Sequence, residues 1–280
     1  MSTQPLIALN NGVQIPQLGF GTFRVSVEET QKVTEEALAV GYRHIDTAAG
    51  YYNEAGVGAA LKASGLPRES VFVTTKLRNG DQGYDSALKA FEDSRAALGV
   101  DVVDLYLVHW PVPSRGLAAE TWKAFEKLYA EGAVRAIGVS NFLPQHLDAL
   151  IAGADIVPAV NQLEIHPTLQ QIAAQETSLA HGVIPEAYGP IGQGEDLSLP
   201  TVIEIATAHQ VTPAQVVLRW HVQEGRIAIP KSNTPARIKE NFDIFDFTLT
   251  DAEIAALDGL EAGNRLYPDP DTFANTQYRN

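Results

Sequence analysis

An acid, a phenol, an amine and an imidazole follow one another at the ends of short apolar runs. Asp46 closes Arg43-His44-Ile45-Asp46, Tyr51 lies just beyond it, Lys76 follows Val71-Phe72-Val73-Thr74-Thr75, and His109 follows Leu105-Tyr106-Leu107-Val108. Together these groups can protonate a carbonyl near neutral pH. A free phenol, with a pKa of about 10, is a poor proton donor there. An ammonium beside it stabilises the phenolate and lowers that value, and a carboxylate beside the ammonium keeps the amine charged. Taken singly, each has an ordinary reading: a buried Asp capping a turn, a surface Tyr, a surface Lys, a core His with its hydrogen bonds met. Their joint placement decides between the readings.

The elements that must position them alternate. After a hairpin (residues 6–9 and 13–15 around the turn Asn10-Asn11-Gly12), strand patterns occur at 18–21, 43–46, 71–75, 103–108, 135–139, 159–163, 183–187 and 227–229. Helical spacing fills the intervals at 27–40, 53–63, 85–98, 118–131, 144–151, 169–181, 200–209 and 213–223. Two more helices, 235–241 and 251–260, precede a Pro/Asn/Asp-rich tail over 263–280. Apolar strands alternating with helices indicate a parallel sheet covered by helices. Eight such units point to an α/β (β/α)8 TIM barrel, with the hairpin and extra helices added, as a single domain over 1–280. In such a barrel reactive groups belong at the C-terminal ends of strands, which is where Asp46, Lys76 and His109 fall on three successive strands.

Composition narrows the partners. The formal net charge is −14, which argues against nucleic acid; most of the 34 carboxylates read as a solvated surface. Any anionic cofactor must then be held by a local basic cluster against an unfavourable global field. No apolar stretch approaches the ~18 residues of a membrane span. The start Met1-Ser2-Thr3-Gln4-Pro5 lacks a secretory pattern, so a cytoplasmic monomer is expected. Cysteine is absent, which excludes disulfides and thiol nucleophiles. The histidines lack zinc spacing; Glu164 and His166, on one strand face, read as a structural pair at the barrel rim. There is no G-x-S-x-G elbow. Gly56-Val57-Gly58-Ala59-Ala60-Leu61 imitates a phosphate loop but reads as a helix with small packing residues. The better anion site is Lys231-Ser232-Asn233-Thr234 with Arg237, after the eighth strand and at a helix start, where backbone N–H groups, hydroxyls and two cations suit a phosphate.

Six strings closely resemble the aldo-keto reductases: Gly41-Tyr42-Arg43-His44-Ile45-Asp46-Thr47-Ala48, Tyr51-Tyr52-Asn53-Glu54, Thr74-Thr75-Lys76-Leu77, Asp104-Leu105-Tyr106-Leu107-Val108-His109-Trp110-Pro111, Ile137-Gly138-Val139-Ser140-Asn141-Phe142 and Ile229-Pro230-Lys231-Ser232. Within that family the bacterial 2,5-diketo-D-gluconate reductase branch is the most similar. The resemblance implies NADPH as hydride donor to a small aldehyde or ketone, Tyr51 as general acid, Lys76 held by Asp46 as its modulator, and His109 orienting the carbonyl. By the same resemblance Lys231 to Arg237 grips the 2′-phosphate. Ser140, Asn141 and Gln162 hold the nicotinamide carboxamide, and Tyr188 stacks on its ring. Gly189, Pro190, Ile191, Gly192 and Gln193 line the pyrophosphate, and Glu240 and Asn241 face the adenine. Thr22 touches the cofactor ribose, and Phe23 and Trp110 wall the substrate.

One departure bears on substrate. Related reductases often carry an aromatic residue two places after the lysine, where this chain has Arg78. If the strand direction persists, Arg78 points to the same side as Lys76 and would favour an anionic keto acid; an arginine turned to solvent is the alternative. Two other function classes stay open: a non-catalytic NADPH-binding sensor, and a barrel glycosidase using Asp46 and Glu164.

Overall fold

The chain's structure is a computed structural model that describes residues 4–276. It begins with an antiparallel hairpin, β1 (Leu6–Ala8) and β2 (Gln14–Pro16), with Leu6 opposite Pro16. The turn works because Gly12 takes φ 83°, which costs glycine nothing, and because the Asn11 side chain accepts the Val13 N–H at 3.2 Å.

Eight parallel strands follow: β3 (Phe20–Gly21), β4 (His44–Asp46), β5 (Phe72–Leu77), β6 (Val103–Val108), β7 (Val134–Ser140), β8 (Val160–Glu164), β9 (Ile184–Tyr188) and β10 (Ile227–Ile229), each bonded to its neighbour in chain order. The sheet closes where Leu18 bridges Ala228, with Gly19 N–H donating to the Ala228 carbonyl at 2.8 Å and Gly21 N–H to Pro230 at 3.0 Å. The fold is a (β/α)8 barrel.

Helices α1 (Val27–Val40), α2 (Glu54–Ala63), α3 (Tyr84–Leu98), α4 (Ala118–Ala130), α5 (Pro144–Ile151) and α6 (Ile172–Ala180) each follow one strand, from β3 to β8. The pair α7 (Pro200–His209) and α8 (Pro213–Gln223) follows β9, and α9 (Pro235–Phe242) and α10 (Asp251–Asp258) follow β10. Start signals are local: Ser26 caps α1, and Thr212 with Gln215 and Thr250 with Glu253 form capping boxes, each worth about 1 kcal/mol. In α2 the small residues do pack: a Cβ on Gly56 would lie 2.8 Å from Thr30 of α1, and Gly58 faces the Leu98 carbonyl of α3.

The hairpin closes one end of the barrel. Leu9 and Ile15 cluster with the strand residues Phe72, Leu105, Leu107, Val160 and Ile227. Full burial of one such aliphatic side chain stabilises by roughly 1.5–3 kcal/mol. Polar inward residues therefore collect toward the opposite end, at the strand C-termini.

Three strands run one residue beyond the sequence expectation, so Ser140, Glu164 and Tyr188 are strand residues. Helix α6 starts at Ile172 rather than 169, because His166 and Leu169 first exchange backbone hydrogen bonds at 3.0 and 2.9 Å. Of the tail expected over 263–280, residues 277–280 lie outside the described residues.

Candidate active site

Strand ends bring the four reactive side chains together. Asp46 is the last residue of β4, Lys76 lies in β5, paired through Asp46↔Thr74, and His109 follows β6 directly. Tyr51 stands on a single 3₁₀ turn (Ala49–Tyr51). Asn53 pins that turn: its amide donates to the Thr22 and Val25 carbonyls at 2.9 and 3.2 Å and accepts the Thr47 hydroxyl at 3.0 Å.

The Lys76 ammonium is fully buried and spends its three protons on Asp46 Oδ1 at 2.6 Å, the Thr47 carbonyl at 2.9 Å and Tyr51 Oη at 3.5 Å. A cation held at that distance stabilises a phenolate when the proton leaves. Burial pushes the Asp46 carboxyl up, and the Lys76 charge and the hydrogen bonds from Lys76 and Gln162 work against that push. His109 lies edge-on to Tyr51, ring centroids 5.7 Å apart. Burial, and then the Lys76 charge, lower it well below 6.5, so at neutral pH it is an uncharged imidazole.

Asp46, Tyr51 and His109, but not the buried Lys76, line a cavity of about 600 Å³ together with Phe23, Trp110, Ser140, Asn141, Gln162, Tyr188, Gly189, Pro190, Ile191, Gln193, Lys231, Ser232, Arg237, Glu240 and Asn241. Most of the residues expected at a cofactor site thus share one cavity. Thr22, Gly192, Asn233 and Thr234 are not in its lining. Thr22 is fully buried, its hydroxyl donating to the Asp46 carbonyl at 3.1 Å, and the Asn233 amide turns to Glu29 at 3.2 Å.

Ser140, Asn141 and Tyr188 form one chain of hydrogen bonds. Asn141, at φ 64°, donates to the His109 carbonyl and to Ser140 Oγ, both at 3.0 Å, and accepts the Tyr188 hydroxyl at 2.8 Å. A non-glycine residue in the left-handed region costs of order 1 kcal/mol or more, offset here by three bonds.

Arg78 does not line the large cavity. Strand β5 ends at Leu77, so the alternation that would have aimed Arg78 with Lys76 stops before it. Its guanidinium holds Asp81 through two bonds of 2.7 and 3.1 Å and donates to Tyr52 Oη at 3.3 Å. It borders a separate hollow of about 10 Å³ beside His109 and Trp110, not the large cavity.

Arg24 and Glu186 were not singled out from the sequence, whereas the tail around Leu266-Tyr267-Pro268 resembles a loop that closes the family's pocket, and Tyr267 does line the cavity. Arg24 lines the cavity and, after burial, is a further influence that lowers Lys231. Glu29 opposes that lowering, and three cations with a hydroxyl along one cavity wall, Arg24, Lys231, Arg237 and Ser232, form a donor set that fits a phosphate-bearing cofactor. A basic residue directly after Thr22-Phe23 was the available signal. Tyr267 comes from the tail and packs on Phe23 and Tyr188, ring centroids 6.1 and 5.0 Å away. Phe273 of the same tail covers Trp110 at 4.4 Å. Glu186 is an acid inside the apolar run of β9, fully buried.

Residues 17–262 match the model of the aldo/keto reductase family. The chain is 50% identical to morphine 6-dehydrogenase of Pseudomonas putida, covering 95% of this chain and 94% of that protein. It is 45% identical to methylglyoxal reductase DkgA of Yersinia pestis, covering 98% and 99%. Among solved structures it superimposes on a mutant of Gox0644 in complex with NADPH with a TM-score of 0.93 and 43% identity, over 97% of this chain and 99% of that one. Barrel, rim residues and sequence kinship agree, and the chain belongs to the aldo-keto reductase family.

Proposed function

We propose that this enzyme reduces small dicarbonyls, keto sugars or keto acids, with 2,5-diketo-D-gluconate among the candidates, and that Tyr51 is its proton donor. As an aldo-keto reductase it is an NADP(H)-dependent oxidoreductase. The single observation that carries the catalytic reading is the Asp46–Lys76–Tyr51 series, 2.6 and 3.5 Å between successive polar atoms, at the cavity wall.

When bound, the nicotinamide supplies the hydride. Tyr51 holds the proton for the carbonyl oxygen, and Lys76 stabilises the phenolate left behind, so that proton transfer is eased in both directions. Asp46 keeps the lysine in register. Neutral His109 can offer a ring N–H to the same oxygen, orienting and polarising it. Phe23, Trp110 and Tyr267 supply apolar walls that exclude water. Arg24, Lys231, Ser232 and Arg237 would hold the phosphates, Gln162 and Asn141 the carboxamide end, and Tyr188 the ring face. The distribution of names among relatives supports a carbonyl substrate of open size: proteins 45–50% identical are called for a morphine alcohol and for methylglyoxal. Phe273 over Trp110, and Tyr267 over Phe23, narrow the substrate end and favour the smaller of these. Because Asp81 offsets Arg78, we place that arginine at the rim rather than as an anion clamp.

Oxidation of NADPH against a panel of dicarbonyls, keto sugars, keto acids and aromatic aldehydes tests this. Higher kcat/KM for the small dicarbonyls and keto sugars is expected. Turnover confined to bulky aromatic carbonyls would overturn the substrate class, and NADPH binding without turnover of any carbonyl would overturn the catalytic one.

A further inference from the structure

The Gln162 amide is consumed on its nitrogen side. Its Nε2 donates to Asp46 Oδ2 at 2.8 Å and to Glu186 Oε1 at 2.5 Å, so both N–H bonds are spent inside the barrel and the carbonyl oxygen is the end left for the cavity that Gln162 lines. The flipped amide would set its oxygen against the ionised Asp46 Oδ2, which fixes the assignment. Glu186 is fully buried, and its other oxygen, Oε2, has no hydrogen-bond partner among the described residues. Two acids thus share one amide nitrogen, but only Asp46 touches a cation. Asp46 therefore carries the charge and Glu186 the proton, because an ionised buried oxygen without a donor costs far more than a neutral one.

We propose that Glu186 is a positioning residue of the reductase site: as a neutral carboxylic acid it fixes the Gln162 amide with its oxygen toward the cavity, and it keeps a second negative charge away from Lys76 and Tyr51. The proposal rests on the reading of the site as an NADPH-dependent carbonyl reductase. An acceptor-only oxygen at Gln162 selects a donor such as a primary amide N–H on the ligand. Without the Glu186 acceptor one of the two bonds that fix the amide is gone and Asp46 alone holds it, so that selection weakens.

Charge is the second consequence. Burial, and then the Asp46 charge, push Glu186 up to about 8. The charged groups facing it are Asp46 of β4 and Lys76 of β5. Its register partners on the flanking strands, Gln162 of β8 and Ile227 of β10, are neutral. His44, two residues before Asp46 on the same strand face, is lowered to about 3 by burial and carries no charge at neutral pH. Above pH about 8, ionised Glu186 competes for the Lys76 ammonium. The phenolate of Tyr51 then gains less from that cation, and proton donation to the carbonyl slows.

Glu186→Gln retains an acceptor for Gln162 and cannot ionise. In the infrared, the wild type should show a protonated carboxylic acid band that is lost with a midpoint near 8 and that the variant lacks. The wild-type reductase profile should fall along a limb near that pH, and the variant should lack the limb. Glu186→Leu removes the acceptor and should weaken NADPH binding about tenfold, read by quenching of tryptophan fluorescence. A carboxylic acid band unchanged by Glu186→Gln, superimposable pH profiles, or an unchanged NADPH affinity in Glu186→Leu would each overturn the proposal. The infrared band and the affinity do not depend on turnover, so a failure of the reductase reading itself would show separately, as a wild type that binds NADPH and reduces nothing.

Discussion

The barrel buries two charged clusters near its rim and uses them differently. Lys76 and His166 are both fully inaccessible, and each has a carboxylate at hydrogen-bonding distance: Asp46 at 2.6 Å from Lys76, Asp196 at 2.7 Å and Glu164 at 3.2 Å from His166. The difference lies in the remaining contacts. Lys76 has one carboxylate and turns a third proton to the Tyr51 hydroxyl, which borders a cavity. His166 has two carboxylates whose other lone pairs are committed to structure. Asp196 accepts the Thr168 N–H and hydroxyl, and Glu164 accepts the backbone N–H groups of Leu266 and Tyr267 at 2.6 and 3.2 Å. That cluster ties β8, the segment after β9 and the tail into one unit. A buried charge becomes chemical when one of its contacts is a group that can react, and stays structural when every contact is an anchor.

Tyr51→Phe tests the chemical side with the largest expected effect. Removing the proton donor should cut reductase kcat by about 10³-fold, while NADPH affinity, by fluorescence titration, and the thermal midpoint stay close to wild type. Turnover near wild type would sink the assignment and with it the contrast.

His166→Leu should do the reverse. Burial alone lowers His166, but the hydrogen bonds and charges of Asp196 and Glu164 overcome it and raise the imidazole to about 9. Losing that cation leaves Asp196 without a positive partner and Glu164 with only Arg265, 3.7 Å away, at a cost on the order of 3 kcal/mol, or roughly 5–10 °C in thermal midpoint at neutral pH. The fall in kcat should be far smaller than for Tyr51→Phe. Because the folded value lies above that of the unfolded chain, the stabilisation is complete below about pH 6.5 and is lost as pH rises through about 9. The melting difference between variant and wild type should therefore shrink above that pH. A gap that widens with pH would show that His166 is not the cation of the cluster.

The smallest effect is expected at Arg78. Its ion pair with Asp81 is partly exposed and contributes on the order of 1 kcal/mol or less. In Arg78→Trp the ratio of turnover for a keto acid to that for a neutral aldehyde should change by less than about threefold, within what so weak a pair can produce. A change of tenfold or more would return Arg78 to the substrate account.

Much of this was legible in the chain. The strand–helix alternation announced the barrel because apolar run length and helical spacing are local properties. Asp46, Tyr51, Lys76 and His109 stood out because each ends or follows such a run, and strand ends of a parallel barrel share one rim. Other features were hidden for an equally physical reason. The end of β5 at Leu77 depends on hydrogen bonds to β6, so the turn that sends Arg78 to Asp81 could not be read from residue types. Nothing in its residue type set Arg24 apart; only the fold puts it in one cavity wall with Lys231. Glu186 offered one faint signal, an acid within an otherwise apolar strand, which by itself says buried and not what it meets.

The sequence by itself therefore determined which side chains can transfer a proton, the repeating units that carry them, and the end of the barrel at which they emerge. Tertiary structure alone decided which inward-facing groups touch. Gln162 reaches Asp46 across 116 residues of chain and meets Glu186 on the next strand, His166 meets Asp196 thirty residues on, and the tail's Tyr267 meets Phe23. Such meetings follow from closure of the sheet, which sets β8 and β9 across the barrel from β4, and closure is a long-range event on which local periodicity is silent.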